Sequence, residues 1–330
     1  MSSPLHAVLS GSFTSDGSIV NLSLPSGYND FQMTNISDIG SAAANTNVMK
    51  ARGTSLMLDG SGYYSPKTSG AATIALEATT LTGGFTFVSN SADIVIGAST
   101  ALNGTPVNQA SPAVANTGTT TGLVAGSSVV RMFSTTGMLQ ISSMDFTVGT
   151  IVGSTSFELK YLISSGFAAA ASAGSFRIIN ATSAFYPRRR FITAISAAAS
   201  AVITLSVVHQ FTVGQAIRVV VPSVFGMTQI NGLVGNITAI STANNTITVD
   251  INSSGFTAFA FPTSAIAGAG ITFAQVSPVG EAAINSVSQP YGNLLDDATD
   301  NQSFSGISIG ATVQTSGVLY QWIAVKGVSV

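Results

Sequence analysis

In the stretch NTITVDI (residues 245–251), Ile247, Val249 and Ile251 fall on one side of an extended chain, and Thr248 and Asp250 fall on the other. That two-residue period marks a half-buried β-strand. It recurs in SIVNLSL (18–24), DFQMTNI (30–36), MLQISSMDFTV (138–148) and SFELKYLI (156–163), with Gly, Asn and Ser between the runs. SGVLYQWIAV (316–325) predicts a last strand and holds the single tryptophan, Trp322. No apolar pattern with a helical period competes, and Glu, Lys, Arg and Gln, which fill exposed helix faces, are rare. GFAAAASAGSF (166–176) is Ala-rich but flanked by glycines, and it reads as a loop or a single turn. SAAASAVITL (196–205) reads as a strand entered through a small-residue bend. The prediction is an all-β chain.

Turn chemistry divides it further. Gly214 precedes one strand, Gly226, Asn231 and Gly232 mark a reversal, and Asn244 and Asn245 mark another. Asn-Gly is a strong two-residue hairpin signal, and Asn tolerates left-handed angles. The strand-and-turn patterns of residues 11–37 and 303–327 look complementary. They predict a β-sandwich-like main domain over 1–187, completed by C-terminal strands from 277–330, with a small β-barrel module at 188–276 inserted or appended. Residues 98–128 are uncharged and rich in Thr, Ala, Gly and Asn. They read as a long low-complexity loop that lies on a neighbour.

Charge narrows the function classes. Only 7% of residues are charged, against about 25% in an average domain, and the net charge is −2. A duplex binder spreads several cations along the phosphates, so no nucleic-acid partner is expected. Mean hydropathy is +0.46, yet no run reaches the roughly 18 apolar residues a spanning helix needs. The N-terminus lacks a basic start and an apolar core, so neither a membrane partner nor a signal peptide is expected. There is no cysteine and there are only two histidines, His6 and His209. No cofactor is expected, and no metal. His209 reads as a structural residue.

HQFTVGQAIRV (209–219), FGMTQINGL (225–233), ITAISTANNTITVDI (237–251) and GFTAFAF (255–261) resemble a small β-domain that recurs in structural proteins of tailed bacteriophages. It is similar to the FCCH-type β-domain of ubiquitin-activating enzymes. The resemblance covers about residues 185–281, and GMLQISSMDFTVGTIVGSTSFELKYL (137–162) is a weaker echo of it. It implies a compact barrel of five or six strands and a place in a virion. It implies no activity, because the adenylation and thiol-transfer chemistry of those enzymes lies elsewhere in their chains. No cysteine nucleophile and no glycine-rich nucleotide loop is present here.

Three groups of residues stand out as candidate contacts. Arg188, Arg189 and Arg190 follow Pro187 at the entry to the module, and Asp296, Asp297 and Asp300 form the matching acidic cluster. Both read as inter-domain or inter-subunit contacts. Tyr63 and Tyr64, with Tyr28, Tyr161 and Trp322, are candidate glycan contacts, because aromatic faces stack on sugars. No paired carboxylates, nucleophile elbow or triad context points to an enzyme. The expected function is a non-enzymatic structural protein of a tailed-phage virion, on the capsid or tail surface and made in the host cytoplasm. It would assemble with itself and with other virion proteins through charge-poor β-faces. The alternative is a receptor- or glycan-binding adhesin of a tail or fibre.

Overall fold

The structure, a computed structural model, describes residues 7–25, 27–39, 46–66, 77–78, 83–91, 97–133, 135–171, 174–179, 190–262, 273–281 and 304–327. Seven strands come first: Val8–Thr14 (β1), Val20–Ser23 (β2), Tyr28–Asn35 (β3), Val48–Thr54 (β4), Tyr63–Pro66 (β5), Glu77–Ala78 (β6) and Phe85–Ser91 (β7). Six follow: Thr100–Val107 (β8), Ala113–Thr117 (β9), Val129–Phe133 (β10), Asp145–Val152 (β11), Ser156–Leu159 (β12) and Ser175–Ile179 (β13). The next six are Arg190–Ile195 (β14), Val202–Leu205 (β15), Ala216–Val220 (β16), Val234–Ser241 (β17), Thr246–Val249 (β18) and Gln275–Pro278 (β19). The last two are Phe304–Ile309 (β20) and Leu319–Lys326 (β21). The fold is all-β.

The two ends of the chain build one sandwich. Its larger sheet has the order β1-β21-β3-β4-β5-β6 and its smaller one β2-β20-β7. Strand β21 lies between β1 and β3, with Trp322 opposite Gly11 on one side and Met33 on the other. The alternation along β21 sends Tyr320, Trp322 and Ala324 inward. They meet Phe13, Phe31, Leu22, Phe85, Ile307 and Ile309 in one apolar core. Phe31 stacks on Trp322 at 5.9 Å and tilts against Phe85 at 5.4 Å, which ties the two sheets together through aromatic packing. Trp322 is therefore a core residue, and Tyr28 is partly buried beside that core.

Residues 98–128 are not one long loop. They contain β8 and β9, two strands of a closed barrel with the order β10-β11-β12-β9-β8-β13. The small residues that suggested low complexity have a packing role. Ala113, Ala115 and Thr117 face inward, and Ala115 lies opposite Phe157 of β12. Phe157 meets Phe176 edge-on at 5.0 Å. Large rings from two strands fill the barrel only because a third strand offers methyl groups. MLQISSMDFTV is also not one strand. Leu139–Ile141 form a 3₁₀ turn, and β11 begins at Asp145.

A second closed barrel follows, with the order β14-β15-β18-β17-β16-β19. With the strands of each barrel lettered a to f in chain order, both pair a–b, b–e, e–d, d–c, c–f and f–a. Side chains repeat as well. Gly137-Met138-Leu139-Gln140-Ile141 matches Gly226-Met227-Thr228-Gln229-Ile230, with both methionines and both isoleucines fully buried. Each motif ends in a type II turn: Ser142 (φ −63°, ψ 134°) before Ser143 at +70°, and Asn231 (φ −61°, ψ 124°) before Gly232 at +81°. The Asn-Gly pair thus turns between a 3₁₀ segment and a strand rather than capping a two-residue hairpin.

Ser164-Ser165-Gly166-Phe167 likewise matches Ser253-Ser254-Gly255-Phe256. The Ser164 hydroxyl donates to the Asn108 carbonyl at 2.7 Å, and the Ser253 hydroxyl donates to the Ser196 carbonyl at 2.8 Å. Each oxygen also accepts an N–H two residues further on, from Ala110 and Ala198. The echo seen at 137–162 is one part of a repeat that spans the whole barrel. GFTAFAF is not a strand. It lies against the Gly226 turn, with Phe259 and Phe261 packed on Phe225.

Candidate functional site

Of the arginine cluster, Arg188 and Arg189 lie outside the described residues. Arg190 opens β14 opposite Val276. Asp296, Asp297 and Asp300 also lie outside the described residues. Among the described residues, the contacts that join the units are made mostly by neutral groups, with one carboxylate. Thr14 donates two hydrogen bonds across the sandwich–barrel boundary, from its N–H to Thr212 Oγ1 at 3.2 Å and from its hydroxyl to the Val213 carbonyl at 2.9 Å. The N–H of Ser23 donates to Glu281 at 3.2 Å. Between the barrels, Thr147 N–H donates to the Ser206 carbonyl at 3.0 Å, and Thr147 Oγ1 accepts from Val208 N–H at 2.9 Å. Phe167 and Phe261 pack at 5.2 Å across the same boundary. Threonines occur throughout the chain, so no sequence signal distinguishes these few. His209 is held structurally, its Nδ1 accepting from Phe211 N–H and its own N–H donating to Asn245.

Two surfaces remain as candidates for binding. The first is the face of barrel two that corresponds to the covered face of barrel one. In barrel one, Arg131 lies opposite Asp145, and Val129 opposite Thr147. The equivalent pairs are Arg218 opposite Val234, and Ala216 opposite Asn236. Arg131, Asp145 and Thr147 are at most 2% exposed, whereas Val234 is 51% exposed and Arg218 and Asn236 are open. Asn236 N–H, the counterpart of the Thr147 donor, is taken by Asp250 Oδ1 at 2.6 Å, and the Asn236 amide reaches Oδ2 at 2.9 Å. Those side-chain and backbone hydrogen bonds from Asn236 hold the Asp250 carboxyl below the usual carboxylate range.

The second surface is the outer face of the six-stranded sheet. Successive strand residues point to opposite faces, so Tyr63 and Tyr64 do not act together. Tyr64 packs against the sandwich core, and Tyr63 is 46% exposed on the outer face. The register sets Gln32, Arg52 and Tyr63 in one cross-strand row and Thr34, Lys50 and Ser65 in the next. Together they line a shallow depression of about 390 Å³. Arg52 forks onto Asp30, with Nε to Oδ1 at 3.1 Å and Nη2 to Oδ2 at 2.7 Å. That hydrogen bonding, and then the charge of Asp30, raise the guanidinium pKa further. Lys50 forms no ion pair among the described residues. Lys50, Arg52 and Gln32 escape notice in the sequence because nothing there announces that β4 lies between β3 and β5. The alternation in VMKARGT is the one visible trace.

No protein-family model matches this chain, and no curated protein or solved structure matches it either.

Proposed function

We propose that this chain is a non-enzymatic structural protein of a tailed-phage virion. Residues of about 185–281 would form an FCCH-like module, and copies of the chain would pack on the capsid or tail surface with one another and with other virion proteins. The observation that supports this most is the open face of barrel two. The same face of barrel one is buried inside the chain, while here Val234, Asn236 and Thr238 remain exposed along β17. Apart from Arg218 and the edge carboxylate of Asp250, the face is uncharged, so a neighbour can cover it without stranding buried charge. Asp250 occupies the backbone donor of Asn236 and so discourages strand-to-strand addition at that point.

Light scattering behind size exclusion, at several salt concentrations, tests this reading. The expected result is a discrete oligomer whose mass does not change with salt. Val234→Asp should weaken its association by about tenfold or more, as a desolvated charge does in an apolar interface. A monomer at every concentration would remove self-assembly from the reading.

One observation favours a second reading, a glycan-binding adhesin: the half-exposed Tyr63 in the outer-sheet depression.

A further inference from the structure

We propose that the depression on the outer face of the six-stranded sheet binds an acidic saccharide, with Tyr63 as the stacking platform and Lys50 as the partner of a sugar carboxylate. This rests on the adhesin reading for the kind of ligand and goes beyond it in assigning the ligand's charge.

Lys50 and Arg52 are two apart on β4 and share its outer face. Residues so placed are about 6.6 Å apart along a strand. The chain has only 11 Lys and Arg in 330 residues, and two of them sit side by side here. Asp30 engages Arg52 through both carboxylate oxygens. Lys50 has no carboxylate partner among the described residues, so among them one positive charge is left over. An incoming anion pairs with that charge, and a neutral ligand does not.

The remaining groups select a sugar over a bare anion. Tyr63 lies opposite Arg52 in the register and offers a half-exposed ring, which suits the C–H face of a pyranose. Gln32 flanks Arg52, and Thr34 and Ser65 flank Lys50. Their amide and hydroxyls can both donate to and accept from sugar hydroxyls. A depression of about 390 Å³ is near the small end of ligand pockets and fits a short run of sugar units. A single net charge is too little for a nucleic-acid backbone, whose binding depends on several phosphate contacts.

Isothermal titration calorimetry of the full chain with tetragalacturonic acid, with an uncharged galactose tetramer and with inorganic phosphate tests the assignment. The acidic tetramer should bind, more weakly as salt rises, and the neutral tetramer should bind about tenfold or more weaker. Tyr63→Ala and Lys50→Gln should each weaken the acidic tetramer by about tenfold, with Tyr63→Phe close to wild type. Far-ultraviolet circular dichroism checks that each variant folds. Equal binding of both tetramers, lost in Tyr63→Ala, would overturn the acidic class and leave the adhesin reading standing. Binding of neither tetramer would overturn both. Phosphate binding as tightly as the acidic tetramer would overturn the saccharide assignment, because Tyr63 would then have no role.

Discussion

Arg131→Ala is expected to destabilise the first barrel by about 3–5 kcal/mol. Arg131 and Asp145 face each other across β10 and β11, with Nε to Oδ1 at 2.6 Å and Nη2 to Oδ2 at 3.0 Å. Their side chains are 2% and 3% exposed. Removing the guanidinium takes the forked partner from a carboxylate that lies out of reach of water, and the cost is that of the weakened charge compensation more than of the lost bond. The double replacement Arg131→Met with Asp145→Leu should therefore recover most of the loss, since neither charge is then buried. The exposed counterpart Arg52–Asp30 has the same forked geometry but lies in solvent, and Arg52→Ala should cost about 0–1 kcal/mol. Urea unfolding followed by far-ultraviolet circular dichroism reads all three variants. Trp322 fluorescence reports the sandwich separately. A loss below about 1 kcal/mol for Arg131→Ala would show that the pair is hydrated or replaceable.

The same pair shows where sequence reading stops. Arg131 sits in SVVRMFS, and nothing local says that its partner is Asp145, after a 3₁₀ turn. Alternation located β3, β18 and β21, because each has one dry face and one wet face and the apolar residues on the dry face are large. It failed over residues 98–128, where the inward positions Ala113, Ala115 and Thr117 are too small to register as a hydrophobic face. Their smallness answers to Phe157 and Phe176, which belong to strands far along the chain. For the same reason the repeat showed only as a weak echo. What the two barrels share is pairing order and a few motif positions, while the residues between have diverged to suit one covered face and one open face. Tyr63 was visible as a candidate. Its neighbours Gln32, Lys50 and Arg52 come from other strands and become neighbours only through the register of β3, β4 and β5.

Gly226→Ala and Gly137→Ala are expected to cost their respective barrels about 2–4 kcal/mol each, for the same two reasons. Both glycines have positive φ, +68° and +88°, and Gly226 combines it with ψ −153°, a region that costs an L-residue about 1–3 kcal/mol. A Cβ on Gly226 would also lie 2.5 Å from the Ala258 carbonyl oxygen, and one on Gly137 would clash with the matching Ala169 carbonyl. Those oxygens belong to the segments whose next N–H groups but one close the motif, Ala260 onto the Phe225 carbonyl and Ala171 onto the Thr136 carbonyl. Relieving the clash therefore means opening that bond. The last turn residue of each motif separates the two causes. Gly232 and Ser143 are also left-handed, yet one of them is serine. A positive φ alone thus does not demand glycine in this fold, whereas the ψ of Gly226 and the contact of each glycine with a neighbouring carbonyl do. Urea unfolding of the two alanine variants, read against Gly232→Ser as the control for positive φ alone, should place both well below the control. If Gly137→Ala were as mild as Gly232→Ser, the close approach would not constrain the first barrel, and the two turns would be alike in shape but not in what holds them.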